Sequence, residues 1–200
     1  MGHPKLPLEL ASGMTVGRMA LHALLDNDLQ ELHVVVRPND PLLWINSPTI
    51  EHDHSLPSQL HIVQCADAYK GMSYSIHSGV ESILSSCPET DAIVIQLGDQ
   101  PFISAEMVRR LMVLMQENPG LDYVASSCNG VIMPPAVVAV TMFSALMALE
   151  GDAGARKLFL SGLYQGITVN YDGEHSRLLL DVDDEISLSE ARDYYRKNKG

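Results

Sequence analysis

Short apolar runs alternate with amphipathic stretches along almost the whole chain. The runs at Leu32–Arg37, Leu60–Gln64, Asp91–Leu97, Asp122–Ser126, Ile167–Asn170 and Leu178–Asp181 are brief and rich in Val, Ile and Leu, so each predicts a strand. Between them, apolar residues recur at helical spacing. Residues 13–27 predict an amphipathic helix with Met14, Met19, Leu21, Leu24 and Leu25 facing the core. Further helices are predicted from Gly71 to Ser86, from a Ser104 cap to Met115, over Thr141–Leu149, from Arg156 to Leu160 and over Ser187–Tyr195. Strands alternating with helices predict an α/β sandwich with a mainly parallel sheet, built as a single domain over residues 1–200. Two stretches break the pattern. Residues 38–58 carry four prolines and the cluster Glu51-His52-Asp53-His54, and read as an irregular excursion. Asn129–Val138 contains Pro134-Pro135, which predicts a break in regular structure.

Against this frame, the turns that follow strands carry the chemistry. The central one is Gly98-Asp99-Gln100-Pro101, placed after the Asp91–Leu97 run, which reads as a buried parallel strand. Ligands of open α/β sheets bind at the carboxyl ends of strands. Gly98 allows close approach to the backbone, and Asp99 offers hard oxygen to Mg²⁺. The plainer role for Asp99 is to cap the next turn. Gly71-Met-Ser-Tyr-Ser75-Ile-His-Ser-Gly79 opens a helix with N–H groups and hydroxyls that suit an anion or a base edge, and equally serve as a helix cap. Gly151-Asp-Ala-Gly-Ala-Arg156 reads as a helix–helix turn with an N-cap aspartate. Asp181-Val-Asp183-Asp184-Glu185 is an acidic cluster at a strand end, where either Asp183 or its neighbour Asp184 could cap the last helix. The His-x-His cluster at 52–54 lacks a third ligand at a recognisable spacing and reads as a solvated loop.

Composition narrows the partners. The formal net charge is −12, so a nucleic-acid backbone is an unsuitable ligand, and any anionic substrate needs a metal ion, a lysine or helix N-termini. No apolar run has membrane-spanning length. The polar, Pro-rich start has no secretory pattern, and three cysteines without metal-type spacing (Cys65, Cys87, Cys128) read as reduced thiols of a cytoplasmic protein. Neither GxGxxG nor GxxxxGK[ST] occurs.

Six segments in order resemble one family, the nucleotidyltransferases of molybdenum cofactor maturation, and within it the cytidylyltransferase branch. Met1-Gly2-His3-Pro4-Lys5-Leu6 is similar to the end of the family's loop Leu-Ala-Ala-Gly-x-Ser-x-Arg-Met-Gly-x-x-Lys. Gly71–Gly79 is similar to Gly-Met-x-x-Ser-Leu-x-x-Gly, and Leu97-Gly-Asp-Gln-Pro101 to the central aspartate motif. Met133-Pro-Pro-Ala136 resembles Gly-Pro-Pro-Ala, with methionine for glycine. Gly151–Arg156 matches Gly-Asp-x-Gly-Ala-Arg, and Asp181-Val-Asp183-Asp184 resembles Asp-Ile-Asp-Thr, with aspartate for threonine. The implied fold is a three-layer α/β sandwich with a mainly parallel, Rossmann-like sheet of the GT-A-like type. Relative to the family, the chain is expected to lack the N-terminal strand and most of the signature loop, which leaves apolar neighbours and strand edges uncovered.

The resemblance implies transfer of CMP from CTP to the phosphate of Mo-molybdopterin, with release of pyrophosphate. It implies Lys5 and Asp99 as catalytic residues, with Asp99 and Asp183 holding Mg²⁺. Gly2, Lys5, Ser75, Gly79 and Gly98 are expected to bind the nucleotide, and Gln100, Pro134, Pro135 and Arg156 the acceptor. An Arg156–Asp152 salt bridge is an alternative for that arginine. Two other functions remain open at this point. One is a degenerate, non-catalytic protein that binds cofactor or nucleotide and assists a molybdenum hydroxylase apoenzyme. The other is a guanylyl- or sugar-specific nucleotidyltransferase.

Overall fold

The computed structural model describes residues 4–45 and 60–199. The Gly2 assignment and the Glu51–His54 cluster therefore lie outside the described residues. The chain begins with a small antiparallel pair, β1 (Glu9–Ala11) and β2 (Met14–Thr15), and then α1 (Val16–Leu25). Thr15 ends β2 and caps α1, its hydroxyl accepting from the Arg18 amide at 3.3 Å. Next, β3 (Leu32–Val36) and β4 (Leu60–Gln64) pair in parallel, Leu32 to Leu60 through Val36 to Gln64. α2 (Met72–Ser86), β5 (Ala92–Ile95) and α3 (Ala105–Glu117) follow as expected, α3 being capped by Ser104.

The larger sheet has four strands in the order β5–β7–β6–β8, with β6 (Tyr123–Cys128), β7 (Val131–Ala139) and β8 (Gly166–Asn170). β7 runs against both of its neighbours, and only β6 and β8 pair in parallel. The sheet is therefore mixed. The stretch containing Pro134-Pro135 was expected to be irregular and is in fact the sheet's longest strand. The register between β6 and β7 jumps there: Ala125 faces Ala136, and Ser126 faces Met133. The two prolines occupy the bulge, where no ladder N–H is needed, so the strand continues on either side. Their shared peptide bond is cis.

Side chains alternate between the two faces of this sheet. Val124 and Val137 point to α3, against Met107, Val108 and Leu111. Ala125, Ala136 and Val138 point the other way, to Val80 of α2 and to Phe143 and Leu146 of α4 (Phe143–Met147). Period two in the strands and 3.6 in the helices thus make a helix–sheet–helix sandwich. Leu111, Val108, Val124 and Val138 are fully enclosed; burying a side chain of this size is worth about 1.5–3 kcal/mol.

β3 and β5 are only part-buried, and among the described residues no strand joins β3 to β5. β5, expected as a buried parallel strand, pairs antiparallel with β7 alone. The Leu178–Asp181 run, expected as a strand, is a 3-10 turn over Gly173–Leu179 that leads into an extended segment. Its leucines, short of any strand partner, fill the core beside α3. The α5 helix (Arg156–Phe159) starts from Ala155, so Asp152 does not cap it. α6 (Glu185–Lys199) closes the fold, packing on β1 and Phe102. No helix among the described residues is long and apolar enough to cross a membrane.

Candidate active site

The site forms where the turn after β5 meets two segments remote in sequence. The Asp99 carbonyl accepts a hydrogen bond from the Val182 amide at 2.9 Å. Val182 is fully buried, which anchors this junction. One backbone bond therefore sets Asp181 and Asp183 beside Asp99. From the other side comes Lys5. Its segment is held by Leu6, whose carbonyl accepts from the Gly17 amide at 3.0 Å. Leu6 packs so closely on Gly98 that a Cβ there would lie 3.1 Å from its Cδ2. Gly98 is thus small because Leu6 needs the space.

The Lys5 ammonium pairs with the Asp183 carboxylate and lies 3.7 Å from Asp99 Oδ2. Burial alone would lower its pKa. The hydrogen bond and charge of Asp183, with Asp99 behind it, outweigh that and raise it. Burial, and secondarily the Asp183 charge, pushes Asp99 above the usual carboxylate range, while Lys5 opposes that. Asp181 is pushed up to about 6, first by burial and then by the neighbouring charge of Asp99. Its Oδ1 is buried without a hydrogen-bond partner. The Gln100 amide faces Asp181 but closes no hydrogen bond with it.

Three carboxylates against one ammonium leave about two negative charges in a part-buried site. That excess, the orphaned Asp181 oxygen and the all-oxygen donor set are the chemistry a hard divalent cation takes, although the three carboxylates do not form a closed ligand cluster. Asp181 was absent from the residues expected on sequence; the Asp-x-Asp spacing of the 181–184 motif was the available signal. The ambiguity between Asp183 and Asp184 is resolved. Asp184 caps α6, accepting from the Ser187 amide at 2.8 Å, while the Ser187 hydroxyl accepts in return from the Asp184 amide at 3.0 Å. Asp183 is thereby left for Lys5.

The remaining expected residues are spread around this centre. Gln100 is fully buried beside Asp181. Pro134 is part-buried and Pro135 enclosed at the β7 bulge, beside the Ala136–Ile95 pair that ends β5. Ser75 is part-exposed on the first turns of α2. Gly79 sits where α2 crosses β3; a Cβ there would lie 3.2 Å from Val35 Cγ2, so its size serves helix–sheet packing. Two motif loops meet: the Ser73 amide donates to the Gly151 carbonyl at 3.0 Å. Gly71, at φ 135°, comes so close that a Cβ would lie 2.3 Å from that carbonyl carbon. Arg156 is exposed beside these loops, and among the described residues it makes no ion pair with Asp152. All three cysteines are free thiols.

The chain matches the model of the MobA-like NTP transferase domain over residues 1–166. It belongs to that family. It is 36% identical over 167 residues to the purine catabolism protein PucB of Bacillus subtilis (strain 168), spanning 81% of this chain and 75% of that protein. Among solved structures, the Rv0371c protein of Mycobacterium tuberculosis H37Rv in complex with manganese superposes with a TM-score of 0.74 at 20% identity, covering 95% of this chain and 91% of that one. Molybdopterin-guanine dinucleotide biosynthesis protein A from Archaeoglobus fulgidus superposes with a TM-score of 0.64 at 14% identity, covering 98% and 92%. Both structures share the α/β nucleotidyltransferase fold.

Proposed function

We propose that this chain transfers CMP from CTP to the terminal phosphate of Mo-molybdopterin and releases pyrophosphate. The observation that carries the reading is the Lys5 ammonium held between Asp99 and Asp183, with the orphaned Asp181 oxygen behind them. The acceptor phosphate oxygen forms a bond to the α-phosphorus of CTP as the bond to the β-phosphate oxygen breaks. Because that nucleophile is already an anion, the chain needs no general base; its task is to align two polyanions and offset growing charge. Asp99, Asp183 and Asp181 supply the oxygens to hold Mg²⁺, which when bound neutralises charge on the α-phosphate and the leaving pyrophosphate. Lys5 is the chain's own cation here and meets the triphosphate as a compact point charge. In this reading Ser75 binds the nucleotide, and the exposed Arg156 with Pro134 binds the acceptor.

The test is pyrophosphate release from CTP in the presence of Mg²⁺ and Mo-molybdopterin, with GTP in parallel. Turnover that requires CTP and acceptor, and that Asp99→Ala abolishes, is expected. Normal turnover by Asp99→Ala would remove Asp99 from the chemistry. Turnover with GTP in place of CTP would make the chain a guanylyltransferase. A second reading is favoured by the likeness to PucB, a protein named for purine catabolism. In it, the chain holds nucleotide or cofactor without turnover and serves a molybdenum hydroxylase in the cytoplasm. Binding with no pyrophosphate released under any nucleotide would select it.

A further inference from the structure

A second cluster of metal-ligating side chains lies at the amino ends of β3 and β4. It is separate from Asp99 and Asp183, which follow the carboxyl end of β5 and precede α6. His33 and His61 are register partners in the parallel β3–β4 pair, so they stand side by side on one face. Their rings stack with centroids 4.7 Å apart. Glu31 precedes His33 by two residues and so shares its face. One Glu31 oxygen lies 2.8 Å from His33 Nε2, and the other lies 3.9 Å from His61 Nε2. The ligand atoms of all three residues fall within 4.8 Å of one another.

From these residues we propose a binding site for one transition-type divalent cation of the Zn²⁺ class, held by Glu31, His33 and His61. Tetrahedral Zn²⁺ with ligands at about 2.0–2.2 Å needs its donors roughly 3.4 Å apart. The observed 2.8 and 3.9 Å, to the two Glu31 oxygens, straddle that spacing, and side-chain rotation within the 4.8 Å cluster brings the three donors onto one cation. Two imidazoles and one carboxylate select Zn²⁺ or Co²⁺ over the oxygen-seeking Mg²⁺ and Ca²⁺.

The surroundings are those of a metal site. His33 is 2% exposed, and its Nδ1 is hydrogen-bonded to Ser82 Oγ at 2.9 Å. With a metal on Nε2, Nδ1 carries the proton and donates to that hydroxyl, which fixes ring orientation and tautomer. Ser86, one turn on, donates to the Glu31 carboxylate and orients it. The serines lie on the last two turns of α2, whose carbonyl end carries partial negative charge and favours a cation. His61 is 43% exposed, which leaves an entry path and an open coordination position. Bound metal joins β3, β4 and the C-terminal end of α2 and stabilises the part of the fold where, among the described residues, these strands pair only with each other.

The experiment uses the full chain, stripped with a chelator and titrated with Zn²⁺ against a competing chromophoric chelator, with Co²⁺ as a spectroscopic probe. One equivalent bound with a raised melting temperature is expected, together with the intense visible bands of tetrahedral Co²⁺. His61→Ala, a half-exposed position, is expected to weaken Zn²⁺ binding by about 10–100-fold or more with unchanged far-UV circular dichroism. If that variant folds poorly, Glu31→Gln, which keeps size and shape, must give the same loss. The double variant His52→Ala/His54→Ala and the Asp99→Asn variant must keep the tight equivalent. The proposal is overturned by absence of a tight equivalent, by equal binding in His61→Ala or Glu31→Gln, or by loss of binding in either control.

Discussion

Asp181 is the residue on which the electrostatics of the candidate active site can be tested most directly. Its pKa lies at about 6, raised from 3.8 by burial and then by the charge of Asp99. A carboxyl raised in the folded state works against stability once ionised. Below about pH 4 both states hold the proton and nothing is lost. As the pH rises from 4 to 6 the unfolded chain releases its proton first, so folding stability falls; above about 6.5 the loss is complete. Roughly two units at 1.36 kcal/mol each would give about 3 kcal/mol. Asp181 is only part-buried, so water screens the site, and about 1–2 kcal/mol is the expected size. Asp181→Asn is therefore expected to be more stable than the parent by about 1–2 kcal/mol near neutral pH and equal to it near pH 4. The assay is urea unfolding in chelator-containing buffer, read from the fluorescence of the single tryptophan, Trp44, which is 3% exposed. A variant less stable than the parent at neutral pH, or an offset that does not change with pH, would refute the reasoning.

Other outcomes follow from the same geometry. Mg²⁺ or Mn²⁺ at about a hundred times its dissociation constant should stabilise the parent by about 2.7 kcal/mol and Asp99→Asn far less, seen as a shift in melting temperature. Asp183→Asn should weaken that cation effect while leaving the metal-free melting temperature nearly unchanged. Asp184→Ala should do the reverse, because it removes the α6 cap; equal behaviour of the two variants would contradict the division of roles. Gly71→Ala must displace the Gly151 carbonyl and adopt a φ of 135°, so a loss of about 2 kcal/mol or more is expected in urea unfolding. Leu111→Ala, at a fully enclosed position, should cost about 2–5 kcal/mol.

Much of the architecture was legible along the chain, and the exceptions have specific causes. The helices α2 and α3 and the strands β3, β4, β6 and β8 follow from periodicity and from caps such as Ser104, because each buries one face against a neighbour. β7 was hidden by Pro134-Pro135: proline signals a break unless the partner strand supplies a bulge, and a bulge exists only once β6 is in place. Leu178–Leu180 shows the converse. Three leucines read as a strand, yet among the described residues they join no sheet, and they reach the core from a 3-10 turn.

The candidate site divides in the same way. Sequence by itself determined the family and the presence of Asp99, Lys5 and an Asp-x-Asp pair, because local motif and residue chemistry survive in one dimension. Only the tertiary structure decided which acids meet. The bond from the Val182 amide to the Asp99 carbonyl brings in Asp181, and the cap at Ser187 takes Asp184 out. It also gave Gly79 and Gly98 a packing reason to be small, through Val35 and Leu6. It set Glu31, His33 and His61 on one face. Charge, burial and strand register depend on which segments meet, and that information lies in the fold rather than in the order of residues.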